Sequence, residues 1–249
     1  MRVHVIYAHP LADSFAAALH ARIVAALGRS GHQVDDCDLY SEGFNPVLTA
    51  AERRSYNTQN PDLAAVAPYV ARLQAAEALV LCFPTWWYGM PAILKGWFDR
   101  VWARGVAFEL PPGGGAITPA LVNIKKFAVI TTYGSPWWLI KLVLRDPVRA
   151  VIMGGLGRLC APRVQTRFLA LYNIDTASRQ RCAHFFGARR ARVGPVLIAW
   201  FCERATRPAR SVSPAFSAAR HTPAHARDAF SQARAGWISA CWHRKSRPP

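Results

Sequence analysis

Residues 78–101 read Ala-Leu-Val-Leu-Cys-Phe-Pro-Thr-Trp-Trp-Tyr-Gly-Met-Pro-Ala-Ile-Leu-Lys-Gly-Trp-Phe-Asp-Arg-Val. Ala78–Phe83 is apolar without interruption, the pattern of a strand covered on both faces in a parallel sheet rather than half-exposed. Pro84 and Pro91 bracket a short loop holding three adjacent aromatics. Ala92–Trp102 then resumes with helical spacing. Strand, aromatic loop and helix in that order are one half of a βαβ unit, and the rest of the chain repeats it.

Working outward, Val3–Ala8 is a second buried strand, and Phe15–Leu27 is an Ala-rich helix with Asp13 or Ser14 as N-cap, closing near Gly28. Gln33–Leu39 alternates as a strand. Leu63–Ala76 places Leu63, Val66, Val70 and Leu73 on one helical face. Phe127–Thr132 is a further buried strand, Pro136–Met153 is helical in part, Arg163–Leu171 is a last strand, and Thr176–Phe186 starts a last helix. Five alternations of strand and helix predict a doubly wound five-stranded parallel sheet with helices on both faces, in the order 2-1-3-4-5.

The 249 residues carry a formal net charge of +17, unevenly spread. Residues 1–187 hold 19 Lys/Arg and 12 Asp/Glu, and residues 188–249 hold 12 and 2. The composition also changes near Gly187, to Ala, Arg, Pro, Ser and His with little periodicity. The expected organisation is therefore a folded domain over 1–187 and a basic tail over 188–249, disordered or the product of a frameshift, with Val196–Phe201 its one apolar run. The alternative for the tail is a basic anchor for nucleic acid or anionic lipid, disfavoured because its basic residues are interspersed rather than clustered; it gives no reason to expect specific nucleic-acid binding by the body. Six cysteines without a C-x-x-C pair argue against a zinc site or a redox dithiol. The N-terminal apolar run is too short for a signal peptide, and no uncharged stretch reaches membrane-spanning length, so a cytoplasmic protein is expected.

Ligands of open α/β sheets bind beyond the carboxyl ends of the strands. Three loops leave such ends here. Ala8–Phe15 has no glycine, yet it opens a helix whose N-terminus can hold phosphate, with Ser14 adding a hydroxyl and His9 a donor or a charge; plain capping by Asp13 or Ser14 is the alternative. Pro84, Thr85, Trp86, Trp87 and Tyr88 offer rigid walls for a flat heteroaromatic ligand, or else serve as core or interface aromatics. Trp97 and Trp102, in the following helix, are read as core or interface. Thr131, Thr132, Tyr133 and Gly134 combine small hydroxyl side chains with a glycine that lets backbone N–H groups approach a ring edge.

Phe83–Val101 closely resembles the signature of the flavodoxin-like NAD(P)H quinone dehydrogenases. Tyr7–Pro10 with Ser14-Phe15, and Thr131–Ser135, resemble the other two loops of that family. The resemblance implies non-covalent FMN or FAD, NAD(P)H as hydride donor, a quinone-like acceptor and a homodimer. It places His9, Ser14, Phe15 and Ala16 on the flavin phosphate, Thr85–Tyr88 along the isoalloxazine, Thr131–Gly134 on its edge, and Phe108 in the wall of the substrate pocket; Asp99 matches an acidic position. After the third loop the family's Tyr and His are replaced by Pro136-Trp137-Trp138-Leu139-Ile140-Lys141, which leaves Lys141 as the charge in that neighbourhood. An accessory regulatory flavoprotein subunit of a membrane transporter is the alternative, using the apolar run at Trp137–Ile140, although a buried helix is expected there. One-electron flavodoxins are typically acidic, unlike this basic body.

Overall fold

In the computed structural model the described residues are 1–111, 116–186, 197 and 199–201, all within one compact unit, Met1–Thr206. The strands are β1 (Arg2–Tyr7), β2 (Gln33–Asp38), β3 (Ala78–Pro84), β4 (Phe108–Glu109), β5 (Thr118–Pro119), β6 (Lys126–Thr132) and β7 (Gln165–Leu171). The helices are α1 (Phe15–Arg29), α2 (Ala50–Ser55), α3 (Ala67–Ala75), α4 (Ala92–Val101), α5 (Pro147–Arg149) and α6 (Arg179–Phe186). The main sheet runs β2-β1-β3-β6-β7, parallel throughout. Counting only its five strands, this is the 2-1-3-4-5 order. β4 and β5 form a separate antiparallel ribbon.

The continuous apolar runs are explained by what lies on the two faces. Side chains alternate along each strand, so one strand feeds two cores. Ile6, Leu79, Leu81, Phe83, Phe127 and Val129 join Leu73 of α3 and Leu94, Trp97 and Phe98 of α4. Val3, Val5, Val80, Cys82, Ala128 and Ile130 join Leu19, Ile23 and Leu27 of α1. Trp97 and Trp102 are buried, Trp97 fully.

The second core also contains Leu197, Trp200 and Phe201, so packed residues continue past the boundary expected at 187. These side chains add to the cover that α1 gives that face of the sheet. The buried ammonium of Lys126 donates to the carbonyls of Trp200 and Phe201 at the start of β6. Residues 202–249, with the expectations for the tail, lie outside the described residues.

Trp137 and Trp138 correct the expectation of a buried helix. They are 56% and 50% exposed, and only Ile140 of that run is fully buried. The segment Leu139–Val143 is a wide π-helical turn, which holds Ile140 inward and leaves Leu142 and Val143 outside with the tryptophans. Among the described residues no helix is long and apolar enough to cross a membrane.

On the α3 side of β2, a polar cluster replaces apolar packing. His4 Nδ1 lies 2.8 Å from Asp35 Oδ2. Arg72 Nε donates to both Asp35 oxygens at 2.9 and 3.1 Å, and its Nη1 donates to Glu42 at 2.8 Å. Burial opposes ionisation of Asp35, but the bonds from His4 and Arg72 outweigh it and hold the carboxyl well below the usual carboxylate range. A depressed folded-state pKa gives stability that is present above the unfolded value, near 3.9, and lost as pH falls through the folded value. Unfolding free energy is therefore expected to drop by on the order of 2 kcal/mol below about pH 4. In Asp35→Asn, denaturant titrations across that range should show a flatter pH dependence; superimposable profiles would remove this cluster as the source.

Candidate functional site

β1 ends at Tyr7, and the chain turns over the sheet to start α1. Ser14 is the N-cap: its Oγ accepts from the Ala17 N–H at 3.1 Å and donates to the Leu11 carbonyl at 2.8 Å. Asp13 does not take that role. No acidic residue occupies the first turn of α1, which leaves its N–H groups and the positive end of its dipole facing the cleft beside the Ser14 cap, with Asp13 directly before the cap. Leu11 N–H lies 3.2 Å from His9 Nδ1, and the Leu11 carbonyl oxygen lies 3.4 Å from the same nitrogen. The imidazole also stands 5.9 Å, centroid to centroid, from Trp86.

The loop after β3 is a two-residue hairpin turn. Trp86 N–H donates to the Gly89 carbonyl at 3.2 Å, and Gly89 N–H donates back at 3.0 Å. The two central residues, Trp87 and Tyr88, have φ of 51° and 60°. Such a turn normally carries Asn-Gly, because both positions are left-handed. A bulky L-residue there costs roughly 1–2 kcal/mol. Strain of that kind persists where the surroundings impose it, and it clusters at functional sites. Here it holds Trp87 96% exposed.

The second and third loops are stitched together. Thr85 uses both its N–H, at 2.9 Å, and its hydroxyl, at 2.8 Å, on the Thr132 carbonyl. Ser135 Oγ lies 3.3 Å from the Tyr88 hydroxyl. The chain after β7 joins them, with Asn173 N–H on the Ser135 carbonyl at 3.1 Å and Ile174 N–H on the Tyr133 carbonyl at 3.0 Å.

These loops enclose a cleft of about 420 Å³ at the carboxyl edge of the sheet, inside the roughly 300–1,000 Å³ typical of small-molecule sites. His9, Ser14, Phe15 and Ala16 line it from the first loop, Pro84, Thr85, Trp86 and Trp87 from the second, and Thr132 and Gly134 from the third. The expected residues that do not line it are Tyr88, Thr131, Tyr133 and Phe108. Thr131 is wholly enclosed by the sheet. Tyr133 follows the strand's alternation to the opposite side, where its hydroxyl donates to Asp146 at 2.7 Å and its ring stacks on Tyr172. Burial and the Asp146 carboxylate both push its phenol well above the usual range. Phe108 sits on the β4 ribbon, packed against the first core. Lys141 is paired with Asp146, and Asp99 with Lys95.

Two lining residues escaped the sequence reading, Ile174 and Asp175. They follow β7, so the same rule of strand carboxyl ends, carried to the last strand, points to them.

The fold and cleft define a doubly wound α/β protein with the N-terminus of α1 and an aromatic turn on one cleft. The chain belongs to the family described as having the flavodoxin-like fold, whose model matches residues 1–140. It is 35% identical over 108 residues to an uncharacterized NAD(P)H oxidoreductase, YcaK, of Escherichia coli (strain K12), covering 43% of this chain and 55% of that protein. It is 35% identical over 123 residues to NAD(P)H dehydrogenase (quinone) 1 of Rattus norvegicus, covering 43% of this chain and 45% of that one. The chain thus spans about half the length of the curated relatives it matches. Among solved structures, an NAD(P)H:quinone oxidoreductase from Methanothermobacter marburgensis superposes with a TM-score of 0.64 at 26% identity, covering 74% of this chain and 92% of that one.

Proposed function

We propose that the chain is an oxidoreductase that binds a flavin nucleotide, FMN or FAD, non-covalently in this cleft and uses it to carry a hydride from NAD(P)H to a quinone or similar electrophilic acceptor. The observation that carries the reading is the joining, in one cleft, of a helix N-terminus with no acid in its first turn and an aromatic wall held in a strained turn. The names of the relatives agree with it. The residues present fit the group: Ser14, Phe15 and Ala16 at the helix end would hold phosphate, Trp86 and Trp87 would flank the ring system, and Gly134 lets the backbone come close to the ring edge.

Bound there, a flavin supplies two-electron acceptance and release, so that NAD(P)H, a proton and a quinone become NAD(P)⁺ and a hydroquinone. The chain's own residues need not exchange protons with the substrates. They bind and orient flat partners against Trp87 and keep part of the cleft from water. Phe108, on a neighbouring ribbon, is proposed to help wall the acceptor pocket.

The exposed apolar residues Trp137, Trp138, Leu142, Val143 and Val151, close together along the chain, support association into a homodimer, which would take such side chains out of water. The test is a native purification with the absorbance read between about 350 and 500 nm, where flavins absorb, followed by anaerobic addition of NAD(P)H and by sedimentation of the same sample. Flavin bands that bleach, on a particle of twice the chain mass, are expected. Folded protein that takes up neither FMN nor FAD would overturn the reading; a monomer that still bleaches would overturn only the dimer.

A further inference from the structure

Asp175 is the one carboxylate on the wall of the cleft, among the described residues. The chain holds it in place. Asn173, with φ 55°, turns the backbone back from β7, and Asn173 and Ile174 each donate a backbone hydrogen bond into the third loop. The carboxylate is thereby set against Gly134, where a β-carbon would lie only 2.4 Å from Asp175 Oδ2. Glycine is thus the residue that lets this carboxylate rest on the third loop. No ion pair of Asp175 is found among the described residues, and the residue is exposed at the mouth of the cleft. It stands at the third-loop end of the cleft, whereas Ser14 and Ala16 mark the helix end.

We infer that Asp175 is a specificity-determining residue that sets the electron demand of the site, its negative charge disfavouring the reduced, more negative form of the ring bound beside Gly134. The inference rests on the proposed flavin site. Taking a hydride from NAD(P)H brings two electrons and one proton, one net negative charge, into the cleft and releases NAD(P)⁺. A carboxylate near the ring edge opposes that charge, because the protein's means of tuning a cofactor include the charge placed beside it. The site is therefore biased toward passing electrons on quickly to an acceptor rather than storing them.

The test uses the full chain and FMN. Binding of oxidised FMN is measured by fluorescence, and the midpoint potential by anaerobic equilibration with a reference dye, for the native protein, Asp175→Asn and Asp175→Glu. Asp175→Asn should bind oxidised FMN within about threefold of native but the reduced form about tenfold more tightly, a rise of about 30 mV for a two-electron couple. Asp175→Glu should stay at the native potential. An unchanged potential in Asp175→Asn overturns the inference while leaving the flavin site standing. So does a loss of oxidised-FMN binding above about tenfold, which assigns Asp175 a structural role. Failure of the native chain to bind either FMN or FAD overturns both readings; where it binds FAD alone, the same series is run with FAD.

Discussion

Gly96→Ala is expected to lower the unfolding free energy by about 3 kcal/mol, the upper part of the range for overpacked cores. Gly96 is buried in α4, where the helix crosses the segment before α2. A β-carbon there would meet the Pro46 carbonyl oxygen at 2.2 Å and the Pro46 Cβ at 2.4 Å. Backbone cannot rotate away as the end of a side chain can. Retreat of the Pro46 segment is also blocked, because α4 itself clamps it from both sides. Arg100 donates to the Asn45 carbonyl before Pro46 and to the Glu52 carboxylate after it. The Arg100 and Glu52 side chains are only 6% and 11% exposed, and Glu52 completes a capping box with Thr49. Breaking such a pair leaves a buried charge, which is worse than keeping the strain.

The measurement is a urea titration at constant slope, so that the midpoint reports stability. Gly28→Ala serves as the opposite case: it lies in α1 with nothing within 4 Å of the added carbon, and it should gain up to about 1 kcal/mol from helix propensity. A Gly96→Ala midpoint equal to native would show that the Pro46 segment slides aside. Because α4 starts at Ala92, directly after the aromatic turn, the displaced helix should also disturb the cleft.

What could be read in the sequence follows from how strongly each element is written. β3 is apolar throughout, and β6 is apolar from Phe127 to Ile130, because both faces are covered, and a run such as Ala78–Phe83 admits few other interpretations. Once the strands were placed, the rule of carboxyl ends brought His9, Trp86 and Gly134 to one cleft without reference to any contact. Direction within a loop is a different matter. Thr132 and Tyr133 are adjacent, and only the alternation of the emerging strand sends one to the cleft and the other to Asp146. That buried partner is 13 residues away and carries no local signal. α2 was missed although Thr49-Ala-Ala-Glu52 is a capping signature, because no apolar run follows it and none of its residues is buried. Trp137 and Trp138 read as core because tryptophan usually is. Their exposure follows from a π-helical turn that no hydrophobic period announces. Trp200 and Phe201 carry little local signal because six apolar residues in a basic tail resemble a chance run; what holds them is the second core and the buried Lys126, both far away in sequence.

Ser14→Asp separates capping from ligand binding, and it is expected to weaken FMN binding by 100-fold or more while leaving the fold as stable as before. Aspartate and serine cap helices about equally well, so the bond to Ala17 N–H should survive. The added charge at the positive end of α1 is itself favourable by roughly 0.3–1 kcal/mol. Structure alone therefore predicts no loss. A phosphate held at the same N-terminus meets a different situation. Two like charges about 4 Å apart at an effective dielectric near 20 repel by about 4 kcal/mol, nearly three decades of affinity at 1.4 kcal/mol each. Riboflavin carries the ring but not the phosphate, and its binding should change by no more than about threefold. The comparison thus localises each end of the ligand. A parallel loss of both would place the ring, not the phosphate, near Ser14. A loss of neither would remove the flavin from this end of the cleft. A selective loss of FMN would fix the phosphate at α1, leaving the ring to lie between the Trp86–Trp87 turn and Gly134, with Asp175 at its far edge.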